Sequence, residues 1–473
     1  MSFLRQLPFM VYLMVFCFSG AFAAPEKYPK YVFLFIGDGM SVPQRMMANE
    51  FSVVNGNGPL AMNMLPVTGM ARTRSSNNLV TDSAASGTAI ACGIKTRNGR
   101  LGVDENGKKV LSCAEMAKKK GLKVGILSTV MITHATPASF YAHRRSRSQL
   151  SLIVDDLFAS DFDYFAGGGF GLPEDKEEAA LQRAVSNGYK IARNRETFEN
   201  LKSIDGKVMV HLTSSCLPHA LDMPYHKKYI RMPEMVKKAV ELLDNEKGFF
   251  IMCEAGLIDW GCHGNEAATV LHDILSLDES VKIALEFASK HPDETLIVVT
   301  GDHETGAMTI GFTAGGNRLR LERLGQQTMS IDRFHDKIAR LYAAKKGEVR
   351  FEDIGPLVGE AFGYSIEKAA PTNLVRLTER DIDSIKVAFD ADMKKYRDKV
   401  EETKNYLEPL RYGLGNACSM ILMQKAGVAW SSDTHSSLPA MTTAKGVGQE
   451  YFAGFYENDH IGKVLKSFFL SSF

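Results

Sequence analysis

The 473-residue chain carries almost no net charge, +1, and no long block of Lys or Arg. That removes any general electrostatic case for binding nucleic acid or an anionic membrane, so an attraction for phosphate has to be local. It lacks a C-x-x-C pair, and its cysteine spacing therefore fixes no disulfide framework; buried free thiols and disulfides both stay open. It lacks internal repeats and low-complexity tracts, which excludes a solenoid or a long linker. It also lacks an apolar run as long as the roughly 20 residues needed to span a bilayer. The apolar stretch Phe9 to Phe18 falls short of that length, follows Arg5 and precedes Ala21-Phe22-Ala23. This is the pattern of a secretory signal over residues 1–23, with the mature chain starting near Ala24, and a membrane anchor is the competing reading. The expected location is outside the cytoplasm: periplasm if the source has an outer membrane, otherwise the cell surface or the medium.

What is present is ordinary globular composition, 45% hydrophobic and 23% charged, enough for one large α/β domain or two smaller ones. Short apolar, β-branched runs at Tyr31–Ile36, Lys123–Leu127, Phe249–Cys253 and Thr295–Val299 read as buried strands. Segments 113–120, 148–159, 233–243 and 267–289 read as helices between them. The alternation predicts a largely parallel central β-sheet with helices on both faces, one α/β domain over residues 24–473. From about Phe312 to Trp430 the texture changes to longer, more charged helical patterns. Ile382, Ile385, Phe389, Met393, Tyr396 and Val400 recur at helical spacing behind a Thr378/Asp381 capping box, which marks an inserted helical cap, either a lid or a packing element.

Asp38, Glu254 and Asp302 all fall just beyond the carboxyl end of a predicted strand, where open α/β sheets place their sites. Asp259 and His263 stand at i, i+4, Asp302 is followed by His303, and His435 lies far downstream in Asp433-Thr434-His435-Ser436. Each has an ordinary explanation: a turn for Asp302-His303, a helix cap for Asp38, a local hydrogen bond for Asp259 and His263. Together they supply the nitrogen and oxygen ligands that zinc takes, and carboxylates and hydroxyls of the kind that magnesium prefers. A phosphate monoester is a dianion. Its hydrolysis needs charge neutralised at the phosphoryl oxygens, a nucleophile activated and a leaving alkoxide stabilised, all of which paired metal ions can do.

With Thr81-Asp82-Ser83-Ala84-Ala85-Ser86-Gly87-Thr88 added in the same order, the chain resembles the alkaline phosphatases from about Tyr31 to His435. The resemblance implies that Asp259, His263 and His435 hold a first zinc ion, and that Asp38, Asp302 and His303 hold a second beside the nucleophile Ser83. It implies that Asp38, Thr136 and Glu254 hold a magnesium ion. Arg147 matches the arginine that grips two phosphoryl oxygens, and Asp82 and Trp260 flank the substrate position. Attack by Ser83 would give a phosphoserine, which is then hydrolysed. A homodimer is expected by the same analogy.

Three departures from the best-known bacterial pattern stand out. His134 occupies the place of an aspartate beside the magnesium site, Trp260 that of a basic residue, and Thr305 that of a histidine that backs the metal ligands. They bear on the occupant of the third site, on rate and on pH optimum. A sulfatase would carry Cys/Ser-x-Pro-x-Arg, which Ala84-Ala85-Ser86 does not provide, and a diesterase would more typically use Thr and lack Arg147 with the third site. A phosphate-binding pseudoenzyme would have lost Ser83 or a ligand, and none is lost. The remaining histidines, such as His211, His272 and His460, receive no role.

Overall fold

The computed structural model describes residues 27–202, 206–311, 319–366, 375–403 and 413–470, with the side chains of 399–403 outside that set. The leader, its junction at Ala24 and the side chain of Val400 therefore lie outside the described residues.

Fourteen strands follow in order: β1 (Tyr31–Gly37), β2 (Val67–Arg72), β3 (Lys123–Met131), β4 (Tyr164–Gly168), β5 (Tyr189–Ala192), β6 (Lys207–His211), β7 (Phe249–Ala255), β8 (Thr295–Gly301), β9 (Glu304–Thr305), β10 (Met308–Ile310), β11 (Val428–Trp430), β12 (His435–Ser436), β13 (Ala440–Gly446) and β14 (Gly454–Glu457). Ten of them form one sheet in the order β14-β2-β13-β8-β1-β7-β3-β4-β6-β5. Every ladder in it is parallel except the two made by β13, which runs antiparallel to β8 and β2. The sheet is therefore mixed at one end and parallel across the middle.

The four strands expected from sequence are present, and each continues past its apolar run at the carboxyl end. The expected helices are also present, at Cys113–Lys119, Leu150–Ala159, Met232–Leu243 and Ala267–Lys290. All seven residues of β1 are buried because the strand is covered twice. Tyr31, Phe33 and Phe35 pack into one apolar cluster with residues of helices 232–243 and 267–290. Val32, Leu34 and Ile36 pack into the other, with residues of helices 83–92, 113–119 and 459–470.

The register places the chemistry. Gly37 pairs with Ala255 on β7 and Gly301 on β8, so Asp38 and Asp302 leave the sheet side by side, with Glu254 one register step inside β7. Glu254 is thus within its strand rather than beyond it.

The segment between β10 and β11, which pair antiparallel at their ends, contains the long helices and its own apolar cluster from Met329 to Leu422. Ile385, Phe389, Met393 and Tyr396 turn into that cluster, and Thr378 and Asp381 exchange both capping hydrogen bonds, at 2.7 and 3.2 Å. Buried polar contacts tie this segment to the rest of the chain. Glu266 accepts from Gln327 Nε2 (2.6 Å) and the Ile331 amide (2.7 Å), and Asp222 accepts from the Ser330 amide and hydroxyl. All six described cysteines are free thiols, and no helix among the described residues is long and apolar enough to cross a membrane.

Near that junction His219 Nδ1 lies 2.6 Å from Asp273 Oδ2, while the Ala220 amide donates to Oδ1 at 2.7 Å. Burial pushes the imidazole down, but the Asp273 carboxylate outweighs it and holds His219 at about 9. A histidine raised in the folded state contributes its stability below about pH 6.5 and loses it as pH climbs through 9. The contribution is roughly 3 kcal/mol, at one pKa unit per 1.4 kcal/mol. Thermal denaturation should therefore show the wild type losing stability between pH 6.5 and 9 relative to His219→Gln. Parallel pH profiles for the two proteins would show that the pair contributes nothing.

Candidate active site

Ser83 opens the ten-residue helix Ser83–Cys92 at the carboxyl edge of the sheet, and all ten residues are buried. Asp82 caps it, accepting from the Ala85 amide through Oδ1 (3.0 Å). Its other oxygen accepts from the Gly99 amide (3.0 Å) and from Arg147 Nη1 (3.2 Å). One carboxylate therefore fixes both the nucleophile candidate's helix and the arginine. Ser83 Oγ sits 3.2 Å from His303 Nε2.

Around it, the carboxylates and imidazoles gather into three groups: Asp259, His263 and His435; Asp38, Asp302 and His303; and Asp38, His134 and Glu254. Ligand atoms within each group lie within 4.8 Å of one another. In the first, His263 Nε2 is 3.3 Å and His435 Nε2 3.7 Å from the Asp259 carboxylate. In the second, His303 Nε2 is 3.3 Å from both Asp38 Oδ1 and Asp302 Oδ2. In the third, His134 Nδ1 is 3.8 Å from Glu254 Oε1 and 4.0 Å from Asp38 Oδ2, which also accepts from Thr136 Oγ1 at 3.2 Å. The sequence reading set His134 behind Thr136; the fold gives it the same access to the group as the carboxylates have.

The donor atoms fit metal ions. Asp38 Oδ1, Asp302 Oδ2, Glu254 Oε1 and His134 Nδ1 are all buried without a hydrogen-bond partner, and all face into these groups. Their other atoms are spoken for. Asp302 Oδ1 accepts from the Gly39 and His303 amides, and Glu254 Oε2 accepts from Ser128 Oγ. Leaving that many buried polar atoms unpaired costs free energy unless cations complete them.

The imidazoles are oriented from behind. His263 Nδ1 faces the Asp433 carbonyl at 2.6 Å and His435 Nδ1 the Thr81 carbonyl at 2.8 Å. A carbonyl only accepts, so both Nδ1 atoms carry protons, and Nε2 is the ring atom that each imidazole turns toward Asp259. Thr305 does the same for His303. Its hydroxyl donates to Asp259 Oδ1 (2.5 Å), leaving its oxygen to accept from His303 Nδ1 at 3.2 Å.

Electrostatics reflect the crowding. Burial, then the charges of Asp302 and Asp259, holds Asp38 well above the usual carboxylate range, and burial with Asp259 does so for Asp302. Asp259 is held low: burial opposes ionisation, but the hydrogen bond from His263 and the nearby imidazoles prevail. That same bond raises His263 to about 9, whereas burial and His435 keep His303 well below its ordinary value.

Two residues that sequence reasoning passed over complete the frame. Glu304, fully buried, accepts from Gln44 Nε2 (2.6 Å), from Ser436 Oγ and from the Ala307 and Met308 amides. It thereby locks β12, and with it His435, against β9, where His435 pairs with Thr305. Gln44 lies on the helix that follows Asp38. A buried glutamate directly after Asp302-His303 was the available signal. Trp260 stands at the mouth of the site, 37% exposed, its ring 6.4 Å from that of His134.

Gly39 turns the chain from β1 past the site with φ +71°, and a Cβ there would stand 2.9 Å from Asp259 Cα. Gly39→Ala combines a left-handed backbone penalty of about 1–2 kcal/mol with a push on Asp259. We expect the catalytic activity of the site to fall by at least tenfold while the circular dichroism stays native. Wild-type kcat in that variant would mean that the turn does not position the carboxylate.

The family model for alkaline phosphatase matches residues 29–157 and 174–470. Alkaline phosphatase 4 of Bacillus subtilis is 31% identical over 453 residues, 92% of this chain and 88% of that protein. Among solved structures, a cold-active alkaline phosphatase from a psychrophilic Shewanella superposes with TM-score 0.78 at 24% identity, over 93% of this chain and all of the other. That of Thermus thermophilus gives 0.76 at 23% identity, over 94% of this chain and 92% of the other. At those identities the structures speak for the fold alone, and the family follows from the sequence match. With metal-ligand groups at the same sheet edge and a match across nearly all described residues, the chain belongs to the alkaline phosphatase family, metal-dependent enzymes that hydrolyse phosphate monoesters.

Proposed function

We propose that Ser83 is the nucleophile of a phosphomonoesterase that works through a phosphoserine, with zinc ions held by the two histidine-rich groups and magnesium by the third. The observation that carries this is Ser83 Oγ, buried at a helix N-terminus 3.2 Å from a nitrogen of the Asp38, Asp302 and His303 group. No base of the Ser-His-Asp kind is needed: when bound, the ions supply the positive charge that lowers the hydroxyl's proton affinity, activates water and stabilises the departing alkoxide.

The chain's own groups do the rest. Arg147, fixed at Nη1 by Asp82, offers a planar fork to two phosphoryl oxygens, a task suited to a guanidinium. The N-terminus of the Ser83 helix adds partial positive charge where the phosphate would lie. Ser83 Oγ forms a bond to phosphorus as the ester P–O bond breaks, the alcohol departs with a proton, and water then cleaves the phosphoserine. Trp260 stands at the mouth, where the alcohol of the ester would lie. The leader read at residues 1–23 makes this an exported enzyme, and the segment between β10 and β11 its cap.

The test is hydrolysis of p-nitrophenyl phosphate near pH 9 with zinc and magnesium. EDTA should abolish it, and Ser83→Ala should lower kcat by at least a thousandfold, with phosphate trapped on the Ser83 peptide of the wild type after acid quench. Full activity in Ser83→Ala, or label on another residue, would remove Ser83 from its role.

A further inference from the structure

We propose that His134 couples the third metal group to Arg147, so that filling that group releases one arm of the guanidinium for the phosphoryl group. This rests on reading Asp38, His134 and Glu254 as a metal group and Arg147 as the phosphate clamp.

The inference comes from counting donors. His263, His303 and His435 each turn Nδ1 to an acceptor and leave Nε2 for the carboxylates. His134 is reversed. Its Nδ1 faces Glu254 and Asp38 without a hydrogen bond, and its Nε2 lies 3.0 Å from Arg147 Nη2. A guanidinium has N–H donors and no acceptor, so this contact is a hydrogen bond only when Nε2 is bare and the ring proton sits on Nδ1. A cation at the third group needs the Nδ1 lone pair. The single ring proton must then move to Nε2, where it meets the Arg147 N–H head on, and attraction becomes repulsion.

Which partner yields follows from packing. The His134 side chain is 13% exposed and packs edge to face against Trp260, whereas Arg147 is 30% exposed. Nη1 keeps its bond to Asp82 Oδ2, so the guanidinium pivots on that arm and Nη2 swings free. With the group empty, the guanidinium is pinned at both Nη1 and Nη2; with it filled, it is held at Nη1 alone and can turn so that an N–H of each arm meets a phosphoryl oxygen. His134 is a positioning residue on this account, and magnesium would act on phosphate partly through it.

Three measurements on the full chain test this. Nitrogen NMR of histidine-labelled, zinc-loaded protein should show His134 Nε2 unprotonated without magnesium and protonated with it. Calorimetric titration with inorganic phosphate should show magnesium tightening binding in the wild type by about tenfold more than in His134→Asp, the worth of one charge-assisted hydrogen bond. The aspartate keeps a ligand for the ion and still accepts from Arg147 when the ion is bound, so the arm stays held, and metal analysis shows whether magnesium is present. The cation's general attraction for phosphate acts in both proteins, and the difference between them is the readout. Equal responses with magnesium bound, or an Nε2 that stays unprotonated in the loaded wild type, would overturn the coupling while leaving the clamp in place. Zinc-loaded wild type that binds no phosphate would bring down the clamp reading, and the coupling with it.

Discussion

Four carboxylates, those of Asp38, Glu254, Asp259 and Asp302, are buried together at one edge of the sheet, and the rest of the site answers to their mutual repulsion. Burial first, and then the neighbouring carboxylates, hold Asp38 and Asp302 well above the usual carboxylate range. The Arg147 charge eases Asp38, but this arginine is partly exposed and already bound to Asp82. A cluster that repels itself and leaves its lone pairs unpaired is one that cations complete, and metal binding then becomes part of the folding free energy.

The fold delivers that cluster by register more than by local sequence. β1 lies between β7 and β8, the three strands end level, and the carboxylates sit beside those ends: Asp38 and Asp302 just after β1 and β8, Glu254 one residue before the end of β7. Glycines at these ends let the backbones close in: a Cβ on Gly301 would stand 1.9 Å from the Met40 carbonyl oxygen. His435 arrives from the far end of the chain by pairing β12 with β9, and Glu304 bolts the two together. The long stretch before His435 does not displace it, because β10 and β11 meet at the ends of the intervening segment and return the chain to the site.

Much of this was legible from sequence because buried parallel strands leave uninterrupted apolar runs, and because the acidic residue that ends each run breaks the pattern. The central strands and helices were found for that reason, and the acidic and histidine residues that gather into the three candidate groups had already been singled out by their motifs. The remainder was hidden for physical reasons. β13 carries Thr442, Thr443 and Lys445 instead of a clean apolar run, so neither its presence in the sheet nor its antiparallel direction was signalled. The contacts of Thr305 with Asp259 and of Arg147 with His134 join residues that sequence spacing does not bring together. Thr305 looked like a missing histidine. In the fold its hydroxyl performs the orienting task with one donor and one acceptor.

Asp38 offers one carboxylate oxygen to His303 and Asp302 and the other to the group of His134 and Glu254, so it belongs to two of the three groups. The most direct test of the metal reading is the divalent-metal content per chain, by plasma mass spectrometry, of wild type and Asp38→Ala purified with zinc and magnesium present. Three ions in the wild type and one in the variant, with native circular dichroism in both, is the expected result. A wild type that binds none, or a variant that loses no more than one ion, would contradict the sharing of this carboxylate and the three-group site built on it.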